Sequence, residues 1–148
     1  PIQLSVEASE LNQVLERRFA GRPGSGTVNV AEAMAEIQDI LWHCGAIVRS
    51  DARCRSGLAR VAAVAGSFNP VHLCETGTSI RQVAGLSSSI RLAEALLTII
   101  QERRESRGPH YRQDYPHPLA AYNCRLPLRL GPAGVSCRHM PLTANSGE

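Results

Sequence analysis

Ile80, Val83, Leu86, Ile90, Ala93, Leu97 and Ile100 recur at intervals of three and four residues, and this stripe restricts the fold more than any other feature of the chain. A stripe of that period lies along one side of an α-helix, and a helix with one apolar side has to bury it against another element. The stripe lasts about three heptads and Gly85 interrupts it, which predicts a packing seam inside a bundle rather than a long coiled coil. Ser87, Ser88 and Ser89 are expected to face solvent or lie close against a neighbouring helix.

Partners for that seam are visible upstream. Residues 28 to 48 carry Val30, Met34, Ile37, Leu41, Cys44 and Ile47/Val48 at helical spacing, with Glu32, Glu36 and Asp39 between them. Trp42 sits beside this stripe and reads as an anchor between packed helices, and His43 takes the same structural reading. Ser50 and Asp51 can cap a further helix over residues 52 to 65, with Leu58, Val61 and Val64 inside and Arg53, Arg55 and Arg60 outside. A short helix is predicted over residues 9 to 20, with Ser9 as cap and Leu11, Val14, Leu15 and Phe19 on one face. Residues 66–78, which contain Asn69-Pro70, read as a loop.

The predicted class is all-α: a small bundle of three to four helices with an extended or hairpin C-terminal tail. In the tail Leu126, Leu128 and Leu130 alternate with Pro127 and Arg129, Gly131-Pro132-Ala133-Gly134 makes a turn, and Val135-Ser136-Cys137-Arg138 returns. A length of 148 residues suits one modest core. The expected division is an N-terminal helix and Gly-rich linker over residues 1–27, a helical domain over 28–116 and a tail over 117–148. The opening Pro1-Ile2-Gln3-Leu4-Ser5 reads as mid-chain sequence, so a fragment of a longer protein is expected.

Composition removes several functions. The net charge of +3 comes from arginines that are spread along the chain, without lysine, and so argues against nucleic acid as a partner. No window approaches eighteen uninterrupted apolar residues and no charged-then-apolar leader is visible, which predicts no membrane span and a soluble, cytoplasmic chain. Five irregularly spaced cysteines fit reduced thiols rather than a disulfide framework. His43, Cys44, His72 and Cys74 lack the spacing of a zinc site, so these cysteines read as small buried hydrophobes. Residues 21–26 hold Gly and Ser without the Lys-Ser/Thr ending or preceding strand of a phosphate loop, and read as a linker. No catalytic, cofactor-binding or metal-binding residue is therefore assigned.

The polar groups concentrate elsewhere, in Arg103-Arg104-Glu105-Ser106-Arg107-Gly108-Pro109-His110-Tyr111-Arg112-Gln113-Asp114-Tyr115-Pro116. Gly108-Pro109 is expected to stop the long helix, because glycine leaves a helix readily and proline has no N–H to continue it. Glu105, Arg107, Arg112 and Asp114 are close enough to form charge-assisted hydrogen bonds that fix the helix exit. A catalytic alternative, with Arg107 and His110 acting on a substrate carboxylate or as general acid, needs a facing surface that the chain does not supply.

The block Glu105-Ser106-Arg107-Gly108-x-His110-Tyr111-Arg112-x-Asp114-Tyr115-Pro116 resembles the hallmark near the end of the flavoproteins that include succinate dehydrogenase, fumarate reductase and L-aspartate oxidase. Ile40-Leu41-Trp42-His43-Cys44-Gly45-Ala46-Ile47-Val48-Arg49 is similar to a second block of that family, with Ala46 inserted between the glycine and the isoleucine. Ile90-Arg91-Leu92-Ala93-Glu94-Ala95-Leu96-Leu97 is similar to the helix leading into the hallmark. The resemblance covers residues 28 to 116 and implies the family's C-terminal helical domain. It implies FAD held by a flavin-binding domain, of the same or a separate chain, whose Gly-x-Gly-x-x-Gly motif is absent from this sequence. It makes Glu105, Ser106, Arg107, His110, Arg112 and Asp114 a docking corner for that domain. Among family members the compact interval between the first two blocks looks most like L-aspartate oxidase, which would make iminoaspartate for NAD synthesis. The dehydrogenase alternative would add a membrane anchor and an iron-sulfur subunit, and a freestanding helical interaction module without chemistry is a third reading.

Overall fold

The computed structural model describes Gln13, residues 28–131 and residues 134–142. The helix expected over residues 9 to 20 and the 21–26 linker lie, Gln13 apart, outside the described residues. Four helices carry the fold: α1 Val30–Cys44, α2 Asp51–Ser67, α3 Pro70–Glu75 and α4 Ile80–Glu102. Each starts on a side-chain cap. Asn29 Oδ1 accepts the N–H groups of Ala31 and Glu32, Ser50 Oγ that of Arg53, Asn69 Oδ1 that of His72 and Ser79 Oγ that of Gln82. The expected loop over residues 66–78 thus contains α3, because Asn69 caps it and Pro70 occupies its first turn, where a missing N–H costs nothing.

Helices α1, α2 and α4 pack against one another in pairs. Ile37, Ile40, Val61, Val83, Leu86, Ile90 and Leu97 form the centre of the core, with Ala33, Cys44 and Ala65 around them. Gly57 of α2 sits against both α1 and α4. A Cβ there would lie 2.9 Å from Cys44 Cβ and 3.0 Å from Leu97 Cδ1, so only glycine fits without displacement. Helix α4 is long and apolar enough to cross a membrane by length and composition, yet its stripe is the spine of this core. Ser87 is buried along that stripe and Ser88 is exposed.

Three expectations change here. Trp42 anchors nothing within the described residues: it is 75% exposed. Successive residues of a helix are about 100° apart, so a position two away from both Ile40 and Cys44 points to the opposite side. His43 is likewise on the surface, its Nδ1 bonded to the Asp39 carbonyl at 3.0 Å. Helix α1 ends at Cys44 with Gly45 as cap, and the residues predicted to continue it form strand β1 Val48–Arg49. The fold is accordingly mostly helical rather than strictly all-α.

The remaining strands are short. Strand β2 Tyr111–Arg112 pairs in parallel with β1, Val48 beside Tyr111 and Arg49 beside Arg112. A 3-10 turn Ala120–Tyr122 leads into β3 Cys124–Arg125, β4 Leu128–Gly131, β5 Gly134–Cys137 and β6 Met140–Pro141. Strand β4 pairs antiparallel with β5 and β3 with β6, in one continuous register from Gly131 beside Gly134 to Cys124 beside Pro141. The expected hairpin therefore forms. It is interrupted where Pro127, lacking an N–H, faces Arg138. The hairpin lies against the side of α4 away from the bundle core, where Ala95 is covered.

Candidate functional site: a buried charge corner

Helix α4 ends at Glu102, earlier than Gly108-Pro109 would require, since Arg103 is already extended (φ −83°, ψ 91°). The last carbonyls of a helix lack intrahelical donors and carry partial negative charge. Arg112 supplies both needs. Its guanidinium is fully buried, and Nη1 donates to the Ile100 and Gln101 carbonyls. The other edge of the same guanidinium grips Asp114, with Nε to Oδ1 and Nη2 to Oδ2 each 2.8 Å, and Nη2 also reaches Asp51 Oδ1 at 3.1 Å. The Tyr115 ring lies 5.0 Å from the guanidinium carbon.

Asp114 passes the connection on. Its Oδ2 accepts the Asp51 N–H at 2.8 Å, placing a carboxylate at the positive N-terminus of α2. One Arg–Asp pair thereby closes the end of α4 and the start of α2. Hydrogen bonds from Arg112 pull the Asp114 carboxyl down to about 2, against the opposing effect of burial. For Arg112 burial works against the charge, and the bonds to Asp114 and Asp51 outweigh it, so its pKa rises.

Glu105 heads a second, separate cluster. Its side chain is fully buried and accepts from Arg103 Nη2 at 2.7 Å, Arg107 Nη2 at 3.1 Å and the Leu119 N–H at 2.8 Å. Burial alone would raise its pKa, but the Arg107, Leu119 and Arg103 hydrogen bonds overturn that and hold it at about 2. Arg107 also donates to the Leu119 carbonyl at 3.3 Å, so it is committed to structure on two sides. Ser106 Oγ accepts the Arg112 N–H at 2.8 Å and donates to the Tyr115 carbonyl at 2.8 Å. Arg107 and His110 exchange backbone hydrogen bonds of 2.8 and 3.1 Å around Gly108-Pro109. Gly108 has φ +56° at the first central position, the sign a II′ turn needs there.

His110 completes the corner. Arg49 Nη1 lies 3.0 Å from His110 Nδ1, and because arginine only donates, Nδ1 must accept and the ring proton sits on Nε2. Nε2 donates to the Arg103 carbonyl at 3.0 Å. Burial lowers the His110 pKa; its bond to the Arg103 carbonyl opposes this, and the Arg49, Arg103 and Arg112 charges add to the lowering. All six residues singled out in the sequence are thus brought together, but as two charge clusters joined by Ser106 and His110 rather than as one network. Their polar atoms point at each other and at backbone, and no buried side-chain nitrogen or oxygen among the described residues lacks a partner. Such a network holds helix ends and irregular backbone in place.

Sequence reasoning missed Arg49 and the long-range role of Asp51. Both flank the corner from more than sixty residues away, and the only signals were Arg49 in the second quoted block and Asp51 as a cap candidate. Next to the corner apolar side chains are exposed at the β1–β2 pair: Ile47, just before β1, is 75% exposed, and Val48 and Tyr111 within the pair are exposed too. The five cysteines are free, and among the described residues no group of three His, Cys, Asp or Glu side chains could hold a metal ion.

Comparison with known proteins gives a consistent answer. The sequence profile of the family described as "Fumarate reductase flavoprotein C-term" matches residues 34–126, more than half of the chain. A fumarate reductase (CoM/CoB) subunit of Methanothermobacter marburgensis is 28% identical over 104 residues, 68% of this chain and 19% of its own length. The L-aspartate oxidase of Pyrococcus furiosus is 33% identical over 82 residues, 55% of this chain and 14% of its own. This chain therefore spans a fifth or less of the length of these curated relatives. In structure it is similar to a chain of the Mycobacterium smegmatis Sdh1 complex, with TM-score 0.70, 18% identity and 94% of this chain matched to 25% of that one. It is also similar to a chain of E. coli quinol fumarate reductase, with TM-score 0.68, 18% identity and 97% matched to 26%. At that identity the structures speak for the fold.

Proposed function

This chain belongs to the fumarate reductase flavoprotein C-terminal family, the C-terminal domain of succinate dehydrogenase and fumarate reductase type flavoproteins, and on that premise we propose that it docks on an FAD-binding domain. In this reading its task is to close that domain from one side rather than to react. One observation carries the docking: the buried groups of the charge corner are satisfied internally, yet Val48 and Tyr111 stand exposed on the strand pair it anchors and Ile47 just before it. A rigid polar base under an apolar patch is what an interdomain contact requires. Glu105, Ser106, Arg107, His110, Arg112 and Asp114 then act as the base that holds the patch in shape. Ile47→Asp in the complete flavoprotein should leave the melting temperature of this domain alone unchanged and lower FAD retention; unchanged flavin content would overturn the docking role.

For the parent enzyme we infer flavin redox chemistry on a four-carbon dicarboxylate, with reduction of fumarate or oxidation of succinate as the leading reaction. The supporting observation is that the fumarate reductase relative aligns over the larger share of this chain. An iron-sulfur partner subunit follows from that reading. L-Aspartate oxidation is the second reading, supported by the higher identity of the oxidase relative and by the compact interval from Trp42 to Arg107. Aspartate-dependent peroxide formation by the complete enzyme would select the oxidase, and fumarate-dependent oxidation of a reduced dye the reductase. Free thiols in all five cysteines fit a cytoplasmic setting.

A further inference from the structure

On the far side of α4 the hairpin assembles side chains that the corner does not use. Its register puts Leu126 opposite His139, and alternation along the strands places Cys124, Leu126 and His139 on one face. Cys124 Sγ lies 3.7 Å from His139 Nδ1. The other imidazole nitrogen, Nε2, lies 3.8 Å from Glu102 Oε1 at the end of α4. The Tyr122 ring is tilted against the imidazole with centroids 5.1 Å apart, and the Tyr122 hydroxyl donates to the Glu102 carbonyl at 2.9 Å. The imidazole is thus flanked by a thiol, a carboxylate and an aromatic ring.

Thiol, imidazole and carboxylate in that order are what activation of a sulfur nucleophile requires. The other thiols differ: Cys44 and Cys54 are buried, and burial pushes the thiols of Cys74 and Cys137 up. A second, separate observation gives the sulfur something to react with. Cys124 lines a cleft of about 310 Å³ together with Arg49, Leu96, Arg103, His110 and Leu126. Two guanidinium groups and several aliphatic side chains in one cleft suit a small molecule with a carboxylate and an apolar carbon skeleton, and the thiol beside them calls for an electrophilic carbon in it.

We infer that Cys124 is a modification site for α,β-unsaturated carboxylates, with His139 as its base and Arg49 and Arg103 orienting the carboxylate. In the addition the Cys124 proton passes to His139 Nδ1 and the thiolate attacks the β-carbon. A C–S bond forms, the C=C π pair moves to the α-carbon, and that carbon takes the proton back, so no oxidant or leaving group is needed.

The test uses the full chain with monomethyl fumarate and dimethyl fumarate, which share the acceptor and differ in charge. Each rate is divided by that of a small free thiol, and adducts are located by peptide mass spectrometry. Cys124 should react at least about tenfold faster than Cys74 and Cys137, with a normalised preference for the anionic ester that fades as salt rises. His139→Gln should cost about tenfold or more at Cys124 and leave Cys74 unchanged, with an unaltered melting temperature as the check on folding. Equal labelling of the three cysteines, full reactivity without His139, or no preference for the anion would each overturn the proposal.

Discussion

The charge corner at the ends of α2 and α4 and the hairpin of residues 124–141 are separated by only a few residues of chain, yet they are built on opposite terms. In the corner, buried charges meet opposite charges: Glu105 and Arg112 are both fully buried, and no buried side-chain donor or acceptor among the described residues lacks a partner. In the hairpin, Leu128, Leu130 and Met140 remain exposed, and its contact to α4 through His139 and Glu102 is long. A region that has satisfied its polar groups internally is stiff, and removing one partner strands the others in a place without water. A region held by a two-stranded ladder and one helix face loses little when a side chain changes.

The sharpest way to break this contrast is Arg112→Leu. It would leave Asp114, Asp51 and the Ile100 and Gln101 carbonyls without their donor, and a loss of about 3–5 kcal/mol in denaturant unfolding is expected, with little rescue by lysine. A loss under about 1 kcal/mol would mean that the corner is no stiffer than the hairpin.

Acid is the next lever. Glu105 and Asp114 have folded pKa values of about 2 against ordinary values of 4.5 and 3.8, so the unfolded chain binds their protons first as pH drops. Stability from both is complete above about pH 4.5 and is lost progressively toward pH 2. His110 acts in the same direction at higher pH, because its lowered pKa means that stability drains as pH falls below its ordinary value of 6.5. Urea titrations across pH should show both limbs, and Asp114→Asn should flatten the lower one.

Gly57→Ala tests whether the bundle is as tightly fitted as the corner. Its Cβ would meet Cys44 Cβ, which does not swing away, so a loss of about 1–3 kcal/mol is expected from chemical denaturation. The smallest effect belongs to the hairpin: Leu130→Ser, at a position 54% exposed, should change stability by under about 0.5 kcal/mol. A larger loss would show that the hairpin bears weight on α4.

Local signals in the sequence were reliable wherever neighbours along the chain decide the outcome. Ser50 caps α2 as expected, the α4 stripe is buried from Val83 to Ile100 although Ile80 at its start is exposed, and the hairpin brings Gly131 beside Gly134. Even the missed helix α3 had its signal in Asn69-Pro70. Trp42 shows the limit. A tryptophan beside an apolar stripe is a candidate for either side of the helix, and only the phase set by Ile40 and Cys44 sends it outward.

The corner divides the same way. Its residue types and their spacing were readable, because Glu105 with Arg107 and Arg112 with Asp114 are partners two residues apart. That Arg112 ends α4, that Asp114 starts α2, and that Arg49 fixes the His110 tautomer depend on groups about 10 to more than 60 residues away. Propensity, capping and turn chemistry act over a few residues, so the helices, the hairpin and the identity of the charges were already settled by the order of amino acids. Which charge meets which helix end was settled later, by packing: α1, α2 and α4 bring those ends together, and burial then requires each charge to find its partners there.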